Sequence, residues 1–266
     1  MEKIIDAHTH IFPEKIARKA VDSISAFYDL PMHCTDGTLT GLLAAQQKAG
    51  ISCSVISSVA TVPEQAAGIN TFIAGAEKES AGRALALGSL HPYSPSLQED
   101  LAHIHALGLH GIKLHPDFQR FDIDDRAAYP IYEYAQGRWP LLLHTGDFRY
   151  DYSHPRRLAR VLTDFPHLTV IAAHFGGWSI WQEAPAYLAR FSHLYVDTCS
   201  ALYELPPDAA RKLIDRYGAE KVLFGTDFPM WDPADELALF NQLPLTPAER
   251  EQILFKNASV LYSFQV

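Results

Sequence analysis

The chain has 266 residues, 48% of them apolar and 20% charged, enough to bury one sizeable core. A formal net charge of −9 and the lack of any basic run exclude nucleic acid as a partner, because backbone phosphates require concentrated Lys and Arg. No apolar stretch approaches the roughly 18 residues that span a bilayer. The cysteines Cys34, Cys53 and Cys199 are too scattered for a disulfide framework or a CxxC metal site.

The chain reaches a strand-like run by Ile4 without a basic and apolar leader, so a cytoplasmic location with no membrane partner is expected. Eight apolar runs bounded by turn residues then follow, at about residues 3–9, 51–59, 84–91, 110–115, 140–145, 168–174, 194–198 and 222–227. Between them Leu39–Lys48, Gln65–Glu79, Leu97–Leu107, Pro155–Asp164 and Asp208–Tyr217 carry apolar and polar faces at helical spacing. Thr38 is placed to cap a helix, Pro63 to open one, and Gly50 and Gly218 to end one.

From the second run on, strand starts recur about every 25–35 residues, the length of a strand plus a crossover helix. Eight such units predict an α/β fold, a (β/α)8 TIM barrel forming a single domain over residues 1–266, rather than a doubly wound sheet. Thr246 to Phe264 reads as an extra C-terminal helix or two outside the barrel. Phe12 to Gly37 reads as a long loop after strand one, rising from the active face as a lid, with Phe27, Tyr28, Met32 and His33 as pocket walls.

Four of the apolar strands end in metal-ligand types. His8 and His10 close strand one, two residues apart and so on one face. His144 closes strand five, His174 strand six and Asp227 strand eight. In a barrel these ends surround one mouth, where imidazoles and a carboxylate can gather around a divalent ion. A single histidine at a strand end is better read as a hydrogen-bonded structural residue; the joint pattern carries the weight.

The words Asp6-Ala7-His8-Thr9-His10, Gly111-Ile112-Lys113-Leu114-His115-Pro116, Leu143-His144-Thr145-Gly146, Ala173-His174-Phe175-Gly176-Gly177 and Phe224-Gly225-Thr226-Asp227-Phe228-Pro229 stand in this order across almost the whole chain. The chain thereby resembles the amidohydrolase superfamily, in the branch of aminocarboxymuconate-semialdehyde decarboxylase and related aromatic-acid decarboxylases, lactonases and hydratases. The resemblance implies one divalent ion, Zn2+ first and Mn2+, Co2+, Ni2+ or Fe2+ as substitutes, on His8, His10, His144 and Asp227. It implies His174 beside the ion as a catalytic group. Asp227 is the second catalytic candidate, taking a proton from water and returning it to a leaving group.

Lys113, Arg149 and Trp178 are the candidate substrate contacts; Lys113 could instead bridge two metals or form a structural ion pair. Arg120 is a further loop cation on the active face, and Asp6 is expected to support backbone or a neighbouring side chain. Cys199, at the end of strand seven, lacks a sequence neighbour that would activate it. The function expected is a metal-dependent hydrolase of the amidohydrolase type acting on a small organic substrate, with or without a carboxylate. The alternative is a non-oxidative decarboxylase in the same pocket, with a non-catalytic metal-binding barrel behind it. A related nuclease is disfavoured by the charge and by Lys113, which stands where those enzymes carry a bridging glutamate. A homodimer is the expected assembly, by analogy with relatives.

Overall fold

All eight expected strands form, and each hydrogen-bonded pair is parallel. A computed structural model of the chain describes residues 3–34 and 36–264. The strands are β1 (Ile5–His10), β2 (Cys53–Ser57), β3 (Ala84–Ala86), β4 (Gly88–Ser89), β5 (Ile112–Leu114), β6 (Leu141–Leu143), β7 (Val170–Ala172), β8 (Leu194–Asp197) and β9 (Val222–Leu223). The third expected strand is divided at Leu87 into β3 and β4. Leu87 N still donates to Ile56 O (3.0 Å), whereas Gly88 N donates to Gly111 O (2.9 Å), so the chain changes partner there.

The result is two sheets, β1-β2-β3 and β4 through β9, curled into one (β/α)8 barrel. At the seam between its first and last strands, separate backbone bonds replace a regular ladder. Ala7 N donates to Phe224 O (2.8 Å), Asp227 N to His8 O (2.8 Å) and His10 N to Phe228 O (2.7 Å).

Among the described residues twelve α-helical segments accompany the strands: α1 (Glu14–Tyr28), α2 (Leu39–Ala49), α3 (Ala66–Glu79), α4 (Leu97–Ala106), α5 (Pro116–Gln119), α6 (Tyr129–Ala135), α7 (Pro155–Asp164), α8 (Ala184–Leu188), α9 (Pro207–Tyr217), α10 (Pro233–Phe240), α11 (Pro247–Glu251) and α12 (Asn257–Leu261). Helices α5, α7, α9, α10 and α11 open on proline, whose fixed φ suits a first turn and whose missing N–H is not needed there. Thr38 caps α2 by accepting from Gly41 N, and Gly50 ends it at φ 72°, both as the sequence predicts. The C-terminal segment forms α11 and α12 joined by a π-helical stretch over Gln252–Lys256. None of the helices is long and apolar enough to cross a membrane, among the described residues.

The long connection after β1 corrects the sequence reading. Most of it is helix α1, not loop. Ala17 and Val21, four apart, are buried and fix its inner face, while Glu14 favours its first turn. The reading missed it because α2 already supplied the crossover helix that the barrel pattern demands.

Side-chain alternation then sorts the core. Leu141, Leu143, Val170 and Ala172 join the large cluster that includes helix residues such as Leu42, Ile73, Leu158 and Leu213. Leu142 and Ile171 turn the other way, into a smaller cluster with Ile5, Val55 and Leu223 inside the barrel. Lys113 is in register with Leu142, so the same alternation carries a lysine side chain into the barrel.

Glu236 on α10 is buried, and its Oε2 has no hydrogen-bond partner among the described residues. Burial, reinforced by the charge of Asp227, pushes its carboxyl up to about 8 from the ordinary 4.5. Below the lower value the group is protonated whether the chain is folded or not, and it costs nothing. As pH rises towards the higher value the unfolded chain ionises first, so stability is lost. Glu236→Gln is therefore expected to match wild type near pH 4 and to exceed it near pH 8.5 by roughly 4 kcal/mol. Denaturant titrations at the two pH values check this; equal differences at both would refute it.

Candidate metal centre

Six of the eight predicted site residues, His8, His10, Lys113, His144, His174 and Asp227, line one cavity of about 850 Å3. Within it His8, His10 and Asp227 form one tight group. His8 Nε2 and His10 Nε2 are 3.2 Å apart, and Asp227 Oδ1 is 3.1 Å from His10 Nε2 and 3.7 Å from His8 Nε2. Metal bonds of about 2.1 Å in a tetrahedron place ligands about 3.4 Å apart, so these three edges fit one small divalent ion. Hydrogen bonding also fixes the ring tautomers, with Lys113 Nζ, 2.9 Å away, as the donor that meets the lone pair of His8 Nε2. Asp197 Oδ2 accepts from His8 Nδ1 (2.9 Å), which puts the ring proton on Nδ1 and a lone pair on Nε2; Ser57 Oγ sits 3.1 Å from His10 Nδ1.

Charge agrees with that assignment. Burial, then the ammonium of Lys113, push His8 down to about 4, and burial lowers His10 as well, so both are neutral at pH 7. Burial alone would raise Asp227, but the imidazoles of His8 and His10 hold it well below the usual carboxylate range. Two neutral imidazoles and one anion are the donor set that a borderline-soft divalent ion takes.

Local backbone gives the reason these side chains meet. The β1–β2 register shifts between Asp6 and Thr9, and the bulge re-aims the strand end that carries His8 and His10. Asp227 and His174 sit in the left-handed region, at φ 59° and 61°, an unfavourable conformation held by specific partners. Asp227 N donates to His8 O, and His174 N donates to Asp197 Oδ1 (2.7 Å). Asp6 accepts from Thr226 N (3.0 Å), Thr226 Oγ1 (2.6 Å) and His8 N (3.3 Å), tying β1 to the turn before Asp227. Gly225 is needed for closeness, since a Cβ there would stand 3.1 Å from His8 Cβ.

His144 and His174 occupy the same cavity in a different arrangement. His174 Nδ1 faces Cys199 O (3.1 Å), an acceptor only, so its Nε2 is bare and accepts from His144 Nδ1 (3.0 Å). That leaves His144 Nε2 buried and without a hydrogen-bond partner among the described residues, 3.4 Å from Asp117 Oδ2. The expected ligand His144 thus has a free lone pair, but it is grouped with Asp117 and His115 rather than with His8, His10 and Asp227. The His115 and His144 rings stack 4.0 Å apart at 7°, so their in-plane lone pairs run side by side and do not converge on a second ion.

Lys113 is buried with Nζ 2.9 Å from His8 Nε2. Burial lowers its pKa, while Asp227 and Asp197 oppose that shift. Arg149 and Trp178, expected on substrate, stand behind the cavity wall. Arg149 pairs with Asp147 through Nε (2.9 Å) and Nη2 (2.7 Å) and donates to Phe27 O (2.6 Å). Trp178 is buried edge-on against Tyr28, 4.9 Å between ring centroids. Both serve to hold the C-terminal end of α1. Phe27, Tyr28, Met32 and Arg120 do line the cavity, whereas His33 packs on Trp231.

Sequence reasoning missed Asp197, Ser57 and Ser200. Asp197 closes the apolar run Leu194–Val196 as His144 closes Leu141–Leu143, so the same rule finds it. Ser200 Oγ donates to Asp227 Oδ2 (2.6 Å) and accepts from Trp231 Nε1 (2.8 Å), a role visible only in three dimensions. Cys199 lies beneath the site, with Sγ 3.0 Å from Asp197 Oδ1, and burial pushes its thiol up, so it is no thiolate nucleophile.

Asp197→Asn is expected to weaken divalent-metal affinity about 10- to 100-fold, because the amide no longer fixes the His8 tautomer. Competition with a fluorescent chelator measures it; unchanged affinity would remove Asp197 from that role.

Solved structures of similar shape agree on the barrel. An uncharacterised TIM-barrel protein from Bordetella bronchiseptica aligns at TM-score 0.83 and 24% identity over 98% of both chains. A dihydroxybenzoic acid decarboxylase from Polaromonas sp. JS666, with bound manganese and 2-nitroresorcinol, aligns at 0.74 and 17% identity over 99% of this chain and 97% of its own. A Pseudomonas putida protein provisionally named a 2-pyrone-4,6-dicarboxylic acid hydrolase aligns at 0.69 and 19% identity over 100% and 99%. No curated protein sequence matches the chain. The amidohydrolase family profile matches residues 5–264, and the chain belongs to that family.

Proposed function

We propose that the protein is a metal-dependent hydrolase adding water across an ester, lactone or amide carbonyl of a small organic substrate. The observation that carries this reading is the convergence of His8 Nε2, His10 Nε2 and Asp227 Oδ1 inside a large cavity. Those atoms would hold one divalent ion, zinc first, while His144, with its unpartnered Nε2, stands apart from them beside Asp117 and His115. When bound, such an ion polarises a carbonyl and lowers the pKa of water towards about 7.

The protein groups divide the remaining work. Asp227, anionic and oriented by Ser200, accepts the proton of the attacking water at Oδ1 and returns it to the departing oxygen or nitrogen. His174, held by Cys199 O, presents Nε2 towards His144 and can relay a proton across the cavity. Lys113 offers a positive charge to a substrate oxygen. The aromatic walls at Phe27, Tyr28 and Phe118 exclude water from around the reacting carbonyl.

A second reading is non-oxidative decarboxylation. It is favoured by Lys113, a proton-bearing group on the wall of a largely apolar cavity where a carbanion could be protonated as carbon dioxide leaves. The Polaromonas protein carries such an activity in its name. Turnover of carboxylated lactones, aryl esters and hydroxylated aromatic acids in water enriched in oxygen-18 separates the two. Oxygen-18 in the organic product supports hydrolysis, release of carbon dioxide from an organic product free of oxygen-18 moves the assignment to decarboxylation, and failure of metal-replete protein on the whole panel sinks the enzyme reading.

A further inference from the structure

Helix α1 presents a continuous apolar stripe to the cavity. Ile16, Ala20, Ile24 and Phe27 follow one another at spacings of three or four, and all four line it. At a rise of 1.5 Å per residue the stripe is about 16 Å long. Helix α3 supplies the facing wall with Ile69 and Phe72, again three apart. None of these six side chains is fully buried and Ile16 is 50% exposed; Ile69 and Phe72 pack on the core with part of their surface and line the cleft with the rest, so both helices leave apolar surface to it. The cleft is continuous with the space around His8, His10 and Asp227, and the whole measures about 850 Å3. That lies in the upper part of the range of pockets that enclose drug-sized ligands, far more room than one aromatic ring fills.

We infer that the substrate is an amphiphile: a polar carbonyl or carboxylate head at the His8, His10 and Asp227 end, and an extended alkyl or aryl-alkyl tail lying between α1 and α3. Only the role of the head rests on the hydrolase reading. The tail is bound by burial of apolar surface, which gains steadily with length until the cleft is filled. Lys19 and Glu64 stand on the lining with both signs of charge, so the cleft has no net electrostatic demand on the tail.

Straight-chain carboxylates from butanoate to dodecanoate, titrated calorimetrically into metal-loaded protein, test the inference without turnover. Affinity should rise about fourfold per added methylene. Ala20→Trp, which fills the middle of the stripe, should stop that rise at short chains and cost dodecanoate far more affinity than butanoate. Phe72→Glu should flatten the rise, whereas Asp22→Ala, on the exposed side of α1, should not alter it. Affinity independent of chain length in wild type, or an equal loss at all lengths in Ala20→Trp, would overturn the inference. The two proposals fail separately. Length-dependent binding without hydrolysis of any matching phenyl ester, from acetate to decanoate, removes the hydrolase and keeps the cleft. Hydrolysis of the short esters with flat binding removes the cleft and keeps the hydrolase.

Discussion

Asp227→Asn is expected to lower kcat/KM about a thousandfold while leaving the fold intact. The carboxylate has two tasks that an amide cannot share. Oδ1, 3.1 Å from His10 Nε2, supplies the only negative charge in the tight three-residue group, and it is also the proton acceptor for the attacking water. Its other oxygen accepts from Ser200 Oγ, so the isosteric amide can keep one hydrogen bond and the turn around it. Metal occupancy should fall together with turnover, because two neutral imidazoles hold a divalent cation poorly. Metal analysis beside steady-state kinetics, with a melting curve to verify folding, measures all three quantities. Full metal content with wild-type rate would remove Asp227 from both roles.

The second large effect is one of stability. Phe224→Ala is expected to cost about 4 kcal/mol, in the range for emptying a buried aromatic site, and to lower Tm by about 10 °C. Phe224 is completely buried and meets Phe240 edge-on, 5.5 Å between ring centroids. Its carbonyl accepts from Ala7 N and its own N–H donates to Ile253 O (3.1 Å). It therefore joins the barrel seam to α10 and the C-terminal segment. The backbone bonds survive truncation of the ring, so the variant should still fold, with a cavity just outside the strand that leads to Asp227. Val260→Ala, at a site 77% exposed, should change stability by less than about 0.5 kcal/mol and serves as the control. Equal stability losses at the two positions would show that the seam does not depend on Phe224.

Both residues belong to patterns legible in the sequence alone. The eight parallel strands were readable because buried strands of a barrel must be apolar on both faces, which leaves unbroken runs such as Leu141–Leu143 and Val170–Ala172. Their order was readable because crossover helices set a nearly constant spacing. The polar residue that closes each run was readable because a barrel exposes only that end to a ligand, and this rule placed His8, His10, His144, His174 and Asp227 on one cavity.

Local sequence therefore determined the architecture, the mouth of the barrel and the identity of the polar residues around it. It did not determine which of those residues face one another, because distances across a barrel depend on strands far apart in sequence. Tertiary structure decided that His8, His10 and Asp227 converge, that His144 turns to His174, and that Asp197 sets the His8 tautomer. It decided that Arg149, read as a substrate clamp, is engaged by Asp147 and Phe27 O. It also turned the connection after β1 into α1, since an amphipathic segment becomes a helix when a neighbouring surface buries one of its faces, and here that surface comes from distant parts of the chain.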